Sequence, residues 1–344
     1  MGFSSSPILQ AATAALVLAA APRSPAGAAG PKAVDRDSLR AYWTQRDRWQ
    51  LPDSVIAALR ITPGMIVADL GAGDGYFSQR LARAVGPTGK VLALDIDESA
   101  LELNQALARE AGITNIETRV VAADDPGLVP GEADLVFISK TWHVLPDRFC
   151  YARRLSRALG PEDRVAVIGS GKESTPRATR RPGTTDRYEV QRQAEAGGFV
   201  LTAEHRFLGK QFFIELQPGE ASIFRQIPAF RYITAELASG EGPPDPAALE
   251  ALAERGFLEI VDLRPPGPDA GADSLRARVE ELGLRYARAR PDELAARIGD
   301  PDTGIAFVFG DDRQGVEAEI KALADSGRIV LTACEWDLLF GIVR

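Results

Sequence analysis

The chain has 344 residues, of which 45% are apolar and 26% charged, with a net charge of −8 and an isoelectric point near 5.1. That length holds two domains with full cores, and the acidic balance argues against a general nucleic-acid binder, which needs a basic face. Two cysteines in different halves and two histidines are too few for a thiolate zinc cluster or a His-rich metal centre, so no metal is expected.

The N-terminus opens with Ile8 to Ala21, an Ala-rich apolar run broken only by Gln10 and Thr13. It is too short and too weakly apolar to span a bilayer, and small residues around Pro22 offer Ala-x-Ala cleavage sites. Met1 to Pro7 carries no Lys or Arg, so residues 1–30 read either as an export leader or as a disordered cytosolic tail. A mixed polar stretch at 31–45 follows, and Arg48 to Asp53 leads into an amphipathic helix at Ser54 to Leu59. After the Pro63-Gly64 turn comes an apolar strand, Met65 to Leu70, which breaks at once into Gly71, Gly73 and Gly75. A helical pattern then runs from Gln79 to Val85.

Strand, glycine turn and helix form a nucleotide-binding crevice of an open α/β sheet. The glycines serve a tight turn, close approach of backbone to ligand, and packing of helix on strand. Spacing separates the ligands. A dinucleotide fingerprint would place its last glycine where Tyr76 stands, and the Lys-Ser/Thr of a P-loop is missing. The pattern is Asp-x-Gly-x-Gly-x-Gly from Asp69 to Gly75, which reads as a site for S-adenosylmethionine.

From there strands and helices alternate: strand Val91–Asp95, helix Ser99–Ala111, strands Ile116–Ala122 and Asp134–Ser139, helix Asp147–Leu159, strand Arg164–Ile168. A loop rich in Thr, Pro and Arg spans Gly171 to Arg187, and a helix covers Tyr188 to Ala196. The runs Phe199–Phe207 and Gln211–Gln217 are joined only by Leu208-Gly209-Lys210, which makes a hairpin and requires an antiparallel strand. A second α/β pattern begins near Ser222.

Val67 to Phe77, Val91 to Asp95 and Asp134 to Ser139 resemble the successive motifs of class I S-adenosylmethionine-dependent methyltransferases, over about residues 48–217. The resemblance implies a Rossmann-like α/β sheet, parallel with an antiparallel terminal hairpin, in a domain at 31–218. In such a site Asp69 suits the ammonium of the methionine end, directly or through water. Gly71 and Gly73 bring the backbone close to that moiety, and Asp95 accepts the ribose hydroxyls. The family's adenine-contacting acid falls on Asp124, with Asp125 next and a plain turn as the other reading. Residues after the fourth strand, Lys140-Thr141-Trp142-His143, face the methyl group; His143 is a candidate base and Trp142 a candidate stacking surface or roof. A structural hydrogen-bonding role for His143 stays open. The Asn/Asp-Pro-Pro-aromatic loop of amide and exocyclic-nitrogen methylation is replaced by Ser139 to Trp142. The acceptor expected is a small molecule with an O or N nucleophile; a non-catalytic binding protein that kept the fold is the alternative.

Residues 222–344 more faintly resemble small tyrosine-phosphatase-like domains, through Tyr232 to Thr234, Leu249 to Gly256, Ile260 to Arg264 and Leu282 to Tyr286. Arg313 stands near the place of that family's phosphate-binding Arg, but no nucleophilic Cys precedes it, so phosphatase chemistry is not expected. Regulation, dimerisation or substrate gripping is the expectation left for this region. Lys172, Arg177, Arg180, Arg181 and Arg187 would draw in an acidic substrate if free.

Overall fold

The computed structural model describes residues 35–171, 186–227, 230–234, 237–265, 270–290, 293–294, 306–310 and 313–325. The leader, most of the Arg-rich loop and the Arg313 side chain lie outside the described residues. The chain divides into two compact units, Met1–Tyr42 and Trp43–Arg344, and the site lies in the second. Among the described residues no helix is long and apolar enough to cross a membrane.

Helices α1 (Arg36–Gln50) and α2 (Pro52–Ala58) precede the first sheet. Its elements follow in order: β1 (Ile66–Leu70), α3 (Ser78–Val85), β2 (Lys90–Asp95), α4 (Glu98–Glu110), β3 (Ile116–Val120), β4 (Leu135–Ser139), α5 (Arg148–Ala158), β5 (Arg164–Ser170), α6 (Arg187–Ala196), β6 (Phe199–His205) and β7 (Gln211–Pro218). The strand order is β3-β2-β1-β4-β5-β7-β6, parallel except for β7, which runs antiparallel to both β5 and β6. The central strands read as near-continuous apolar runs because both faces are covered. One face carries Ala68, Leu70, Val136, Ile138, Val167 and Ile214 against α5 and α6; the other carries Val67, Phe137, Ile168 and Phe213 against α2 and α3.

Strand order reverses between β1 and β4, so the carboxyl ends of these strands open a crevice there. The opposite, amino edge is closed by charge. Glu215 on β7 is fully buried and accepts from Arg60 (2.7 Å), Arg164 (2.8 Å) and His205 (2.7 Å). Arg164 also donates to the carbonyl of Leu59 at 2.8 Å, which ties the far end of α2 to this edge.

A second sheet follows the short α7 (Ile223–Gln226). It is built from β8 (Arg231–Thr234), β9 (Leu237–Glu241), α8 (Pro246–Glu254), β10 (Glu259–Asp262), α9 (Ala270–Glu281), β11 (Arg285–Arg288), β12 (Ala306–Gly310) and α10 (Arg313–Asp325). The order is β11-β10-β12-β9-β8, with only β8 antiparallel to its neighbour. Two segments quoted above for the phosphatase-like resemblance meet here. Asp262 accepts a two-pronged bond from Arg264 (3.0 and 2.8 Å) and the hydroxyl of Tyr286 (2.7 Å). This sheet packs on α6 through a buried polar cluster: Glu195 accepts from Tyr232 at 2.5 Å and from Arg255 at 2.9 Å.

Candidate active site

The glycine turn is held by three kinds of contact. Gly71 and Ala72 donate to the carbonyl of Leu94 at 2.8 and 3.1 Å, which ties the turn to β2. Gly71 has φ +76°, and a Cβ there would lie 2.0 Å from the Thr141 hydroxyl. Gly75 has φ +87° and rests on Asn104, whose amide oxygen stands 2.2 Å from the Cβ position. Gly73 differs: its φ is +51° and nothing comes within 4 Å of where a Cβ would stand, so its face is open.

Gly71→Ala is expected to fold poorly. The left-handed conformation costs a non-glycine residue about 1–2 kcal/mol, and Thr141 must also move. Thermal melting should show a lower midpoint, partly restored by adding Thr141→Gly; a midpoint equal to wild type would remove the steric argument.

Asp95 closes β2 beside the open face. Gly73 N–H donates to one carboxylate oxygen at 2.8 Å and Asp97 N–H to the other at 3.0 Å. Both oxygens keep a further lone pair. Asp97 caps α4 by accepting from Ser99 and Ala100. Ile96, just past β2, and Val120, at the end of the edge strand β3, are 63% and 53% exposed.

Asp69 sits at the end of β1, 2% exposed. Its carboxylate accepts from Ser78 at 2.6 Å, and Ser78 in turn accepts from Asn104 at 3.0 Å. Burial pushes the Asp69 carboxyl up to about 7, against the lowering pull of Ser78 and the Arg46 guanidinium.

Helix α1 supplies a partner for the turn that hydrophobic periodicity does not reveal, because the stripe is polar. Trp43, Arg46 and Asp47 lie on one face by helical spacing. Trp43 donates to Asp74 at 3.1 Å. Asp47 accepts from the Tyr76 hydroxyl at 2.6 Å and from Arg80 at 2.8 Å. The Arg46 and Arg80 guanidiniums lie 3.8 and 4.2 Å from the Tyr76 ring centroid, a cation–π pair about the residue that replaces the dinucleotide glycine.

The residues after β4 divide. Lys140 has φ +60° and places its ammonium 4.1 Å from the Trp49 ring; burial, then Arg46, lowers its pKa. His143 is half-buried, and burial together with Arg148 and Lys140 pushes its pKa below 6.5, which favours the neutral imidazole. Trp142 is a core residue, 2% exposed, packed with Tyr151 and Leu155 and donating to Gln193 at 2.8 Å. Its ring is covered by the core.

Asp124 is exposed in the loop after β3. Arg154 engages both its carboxylate, at 2.8 Å, and its carbonyl, and the bond to Arg154 holds its carboxyl below the usual range. Asp125 accepts from Gly127 N–H at 2.8 Å, the turn reading of this segment. Arg187, the described member of the Arg-rich set, pairs with Glu204 at 3.1 Å and stacks on Tyr188, so it is occupied.

The crevice fits a sulfonium nucleoside in three observed respects: the open face at Gly73, the carboxylate of Asp95 held with spare lone pairs, and the buried acid at the end of β1. Residues 61–206 match the family model described as "Methyltransferase domain", about two fifths of the chain. That segment is thus similar to methyltransferase domains.

Among individual relatives, the chain is 33% identical over 107 residues to nocamycin O-methyltransferase of Saccharothrix syringae, a match covering 31% of this chain and 38% of that protein. It is 29% identical over 144 residues to demethylmenaquinone methyltransferase of Lactococcus lactis, covering 41% and 56%. The chain thus spans between about two fifths and three fifths of these relatives' lengths. A solved S-adenosylmethionine-dependent methyltransferase from Aquifex aeolicus aligns with a TM-score of 0.46 and 22% identity, over 52% of this chain and 97% of that one.

Proposed function

We propose that the protein transfers the methyl group of S-adenosylmethionine to an oxygen or nitrogen of a small-molecule acceptor. The observation that carries this reading is Asp95, fixed by the N–H groups of Gly73 and Asp97 beside the open face of the glycine turn. Its spare lone pairs suit two ribose hydroxyls. Exposed Ile96 and Val120 suit the flat face of a purine, and Gly71 and Gly73 the close approach of the methionine end. Asp124, turned to Arg154, would reach an adenine amino group only by releasing that pair.

When bound, S-adenosylmethionine supplies a methyl group already activated by the sulfonium charge. The chain's task is then to hold the acceptor in line, exclude water and take a proton. His143 is the base in this reading. Because its pKa is lowered, the free imidazole is present at neutral pH, and the methylation rate should fall only as pH drops below 6.5. A rate that falls with acidity in His143→Ala as in wild type would remove His143 from the role.

Asp69 gives a second, independent pH signature. A cationic ammonium favours the ionised carboxylate, whose fraction rises with pH through about 7, so cofactor affinity should rise with pH across that range. Titration at pH 6 in two buffers of different ionisation enthalpy should show proton release on binding. No release there would separate Asp69 from the ammonium.

Isothermal titration with S-adenosylhomocysteine tests the whole reading: a folded sample that binds neither it nor S-adenosylmethionine is not a methyltransferase. For residues 222–344 we propose a non-catalytic role, supported by the lack of a cysteine in the strand and loop Ile305 to Arg313. Phosphatase turnover by the full chain would refute that.

A further inference from the structure

The sheet face covered by α2 and α3 is apolar in its middle and polar at both edges, with Arg164 and Glu215 at the amino edge. Along β4, Leu135 and Phe137 are followed on the same face by Ser139; along β5, Ala166 and Ile168 by Ser170; along β7, Phe213 by Gln211. Ser139 pairs with Ile168, and Ser170 with Gln211, so these polar ends stand on neighbouring strands.

Helix α2 brings one more group to this edge. Its last turn is tied to the amino edge through Leu59 and Arg60, so its first turn, with Gln50 just before it, stands at the carboxyl edge. The Lys140–Trp49 contact places the end of α1 over the exit of β4 in the same way. Gln50 is fully buried, and both atoms of its amide lack a hydrogen-bond partner. The amide of Gln211 and the hydroxyl of Ser139 are likewise buried and unpaired. Buried polar groups are as a rule satisfied, whereas Ser139 on β4, Gln211 on β7 and Gln50 at the end of α1 are not, and a ligand that offers donors and acceptors would satisfy them.

We propose that Gln50, Ser139 and Gln211 form the acceptor pocket, and that it takes a compact hydroxylated or carbonyl-bearing molecule rather than a long-chain apolar one. This rests on the methyltransferase reading above. Each carboxamide offers donors and an acceptor, and the serine hydroxyl offers both. A ligand must therefore present both kinds of group to satisfy them. An alkyl or prenyl chain would leave all three unpaired, which such sites reject strongly. Lys140 follows Ser139 directly in the chain, and His143 comes shortly after, so the acceptor would lie beside the proposed base.

The test uses the full chain, S-adenosylmethionine carrying a tritiated methyl group, and a small-metabolite extract that after reaction is freed of unreacted cofactor by cation exchange and then partitioned into aqueous and organic phases. Label should enter the aqueous phase. Gln50→Leu and Gln211→Leu should each cut that labelling by on the order of 100-fold, and Ser139→Ala should lower it in the same direction. S-adenosylhomocysteine affinity should stay at the wild-type value in all three, which also shows that they fold. Label confined to the organic phase, label in neither phase, or variants as active as wild type would overturn the proposal. So would loss of S-adenosylhomocysteine binding in the Gln50 or Gln211 variant, which would move those amides to the cofactor. Failure of the wild type to bind S-adenosylhomocysteine is a separate result and counts against the methyltransferase reading itself.

Discussion

Glu195→Ala is expected to lower the thermal midpoint by about 5 °C, the largest stability loss among single substitutions at the polar clusters described. Glu195 is 1% exposed at its side chain and Arg255 8%. The alanine would strip the Arg255 guanidinium and the Tyr232 hydroxyl of a shared acceptor. Breaking one partner of a buried ion pair costs about 3–5 kcal/mol, because the remaining charge is left without compensation. At roughly 1.4 °C per kcal/mol for a cooperative unit of this length, the midpoint moves by that amount. Glu195→Gln should lose less, since an amide oxygen still accepts. The cluster joins α6 to β8 and the end of α8, so the variant should also become sensitive to protease near residues 219–222. A melting curve matching wild type would show that the two sheets are held by apolar packing alone.

Asp95→Ala should weaken S-adenosylhomocysteine binding between about 10- and 100-fold, the range of one or two lost charged hydrogen bonds. Two effects act together. The ribose loses its acceptor, and Gly73 N–H and Asp97 N–H lose the group that fixes them. Asp95→Asn separates the two effects poorly, since its amide nitrogen must point a donor at one of those N–H groups. It should therefore resemble the alanine more than the wild type. An unchanged dissociation constant in Asp95→Ala would leave the ribose without a recognised partner and remove the main support for the cofactor geometry.

What could be read in the residues before the fold was known depended on whether a local rule applied. Gly71, Gly73 and Gly75 announce their turn because glycine adopts left-handed backbone angles without steric cost. The hairpin at 199–218 is legible because so short a connection, residues 206–210 in the structure, leaves no other topology. Helix α1 is not legible by the same means: its inward face carries Arg46 and Asp47, which periodicity assigns to solvent. Strand β9 hides for a similar reason, since Leu237-Ala-Ser-Gly-Glu241 has little β propensity and is paired between β8 and β12 by context. Trp142 and Asp124 show the reach of position alone. Both stand at the expected places in the chain, yet one turns inward to Gln193 and the other outward to Arg154, and long-range partners decide both.

The tie between Leu59, Arg60, Arg164 and Glu215 gives α2 the mechanics of a lever arm. The helix is seven residues long, so about 10 Å separates its fastened end from Pro52. A tilt of roughly 10° about the fastened end would carry Pro52, and Gln50 with it, by about 2 Å, comparable to the difference between making and missing a hydrogen bond. Substitutions at Arg60 or Glu215, a helix length from the crevice, are thus positions from which acceptor range can drift while every residue that faces the acceptor stays the same.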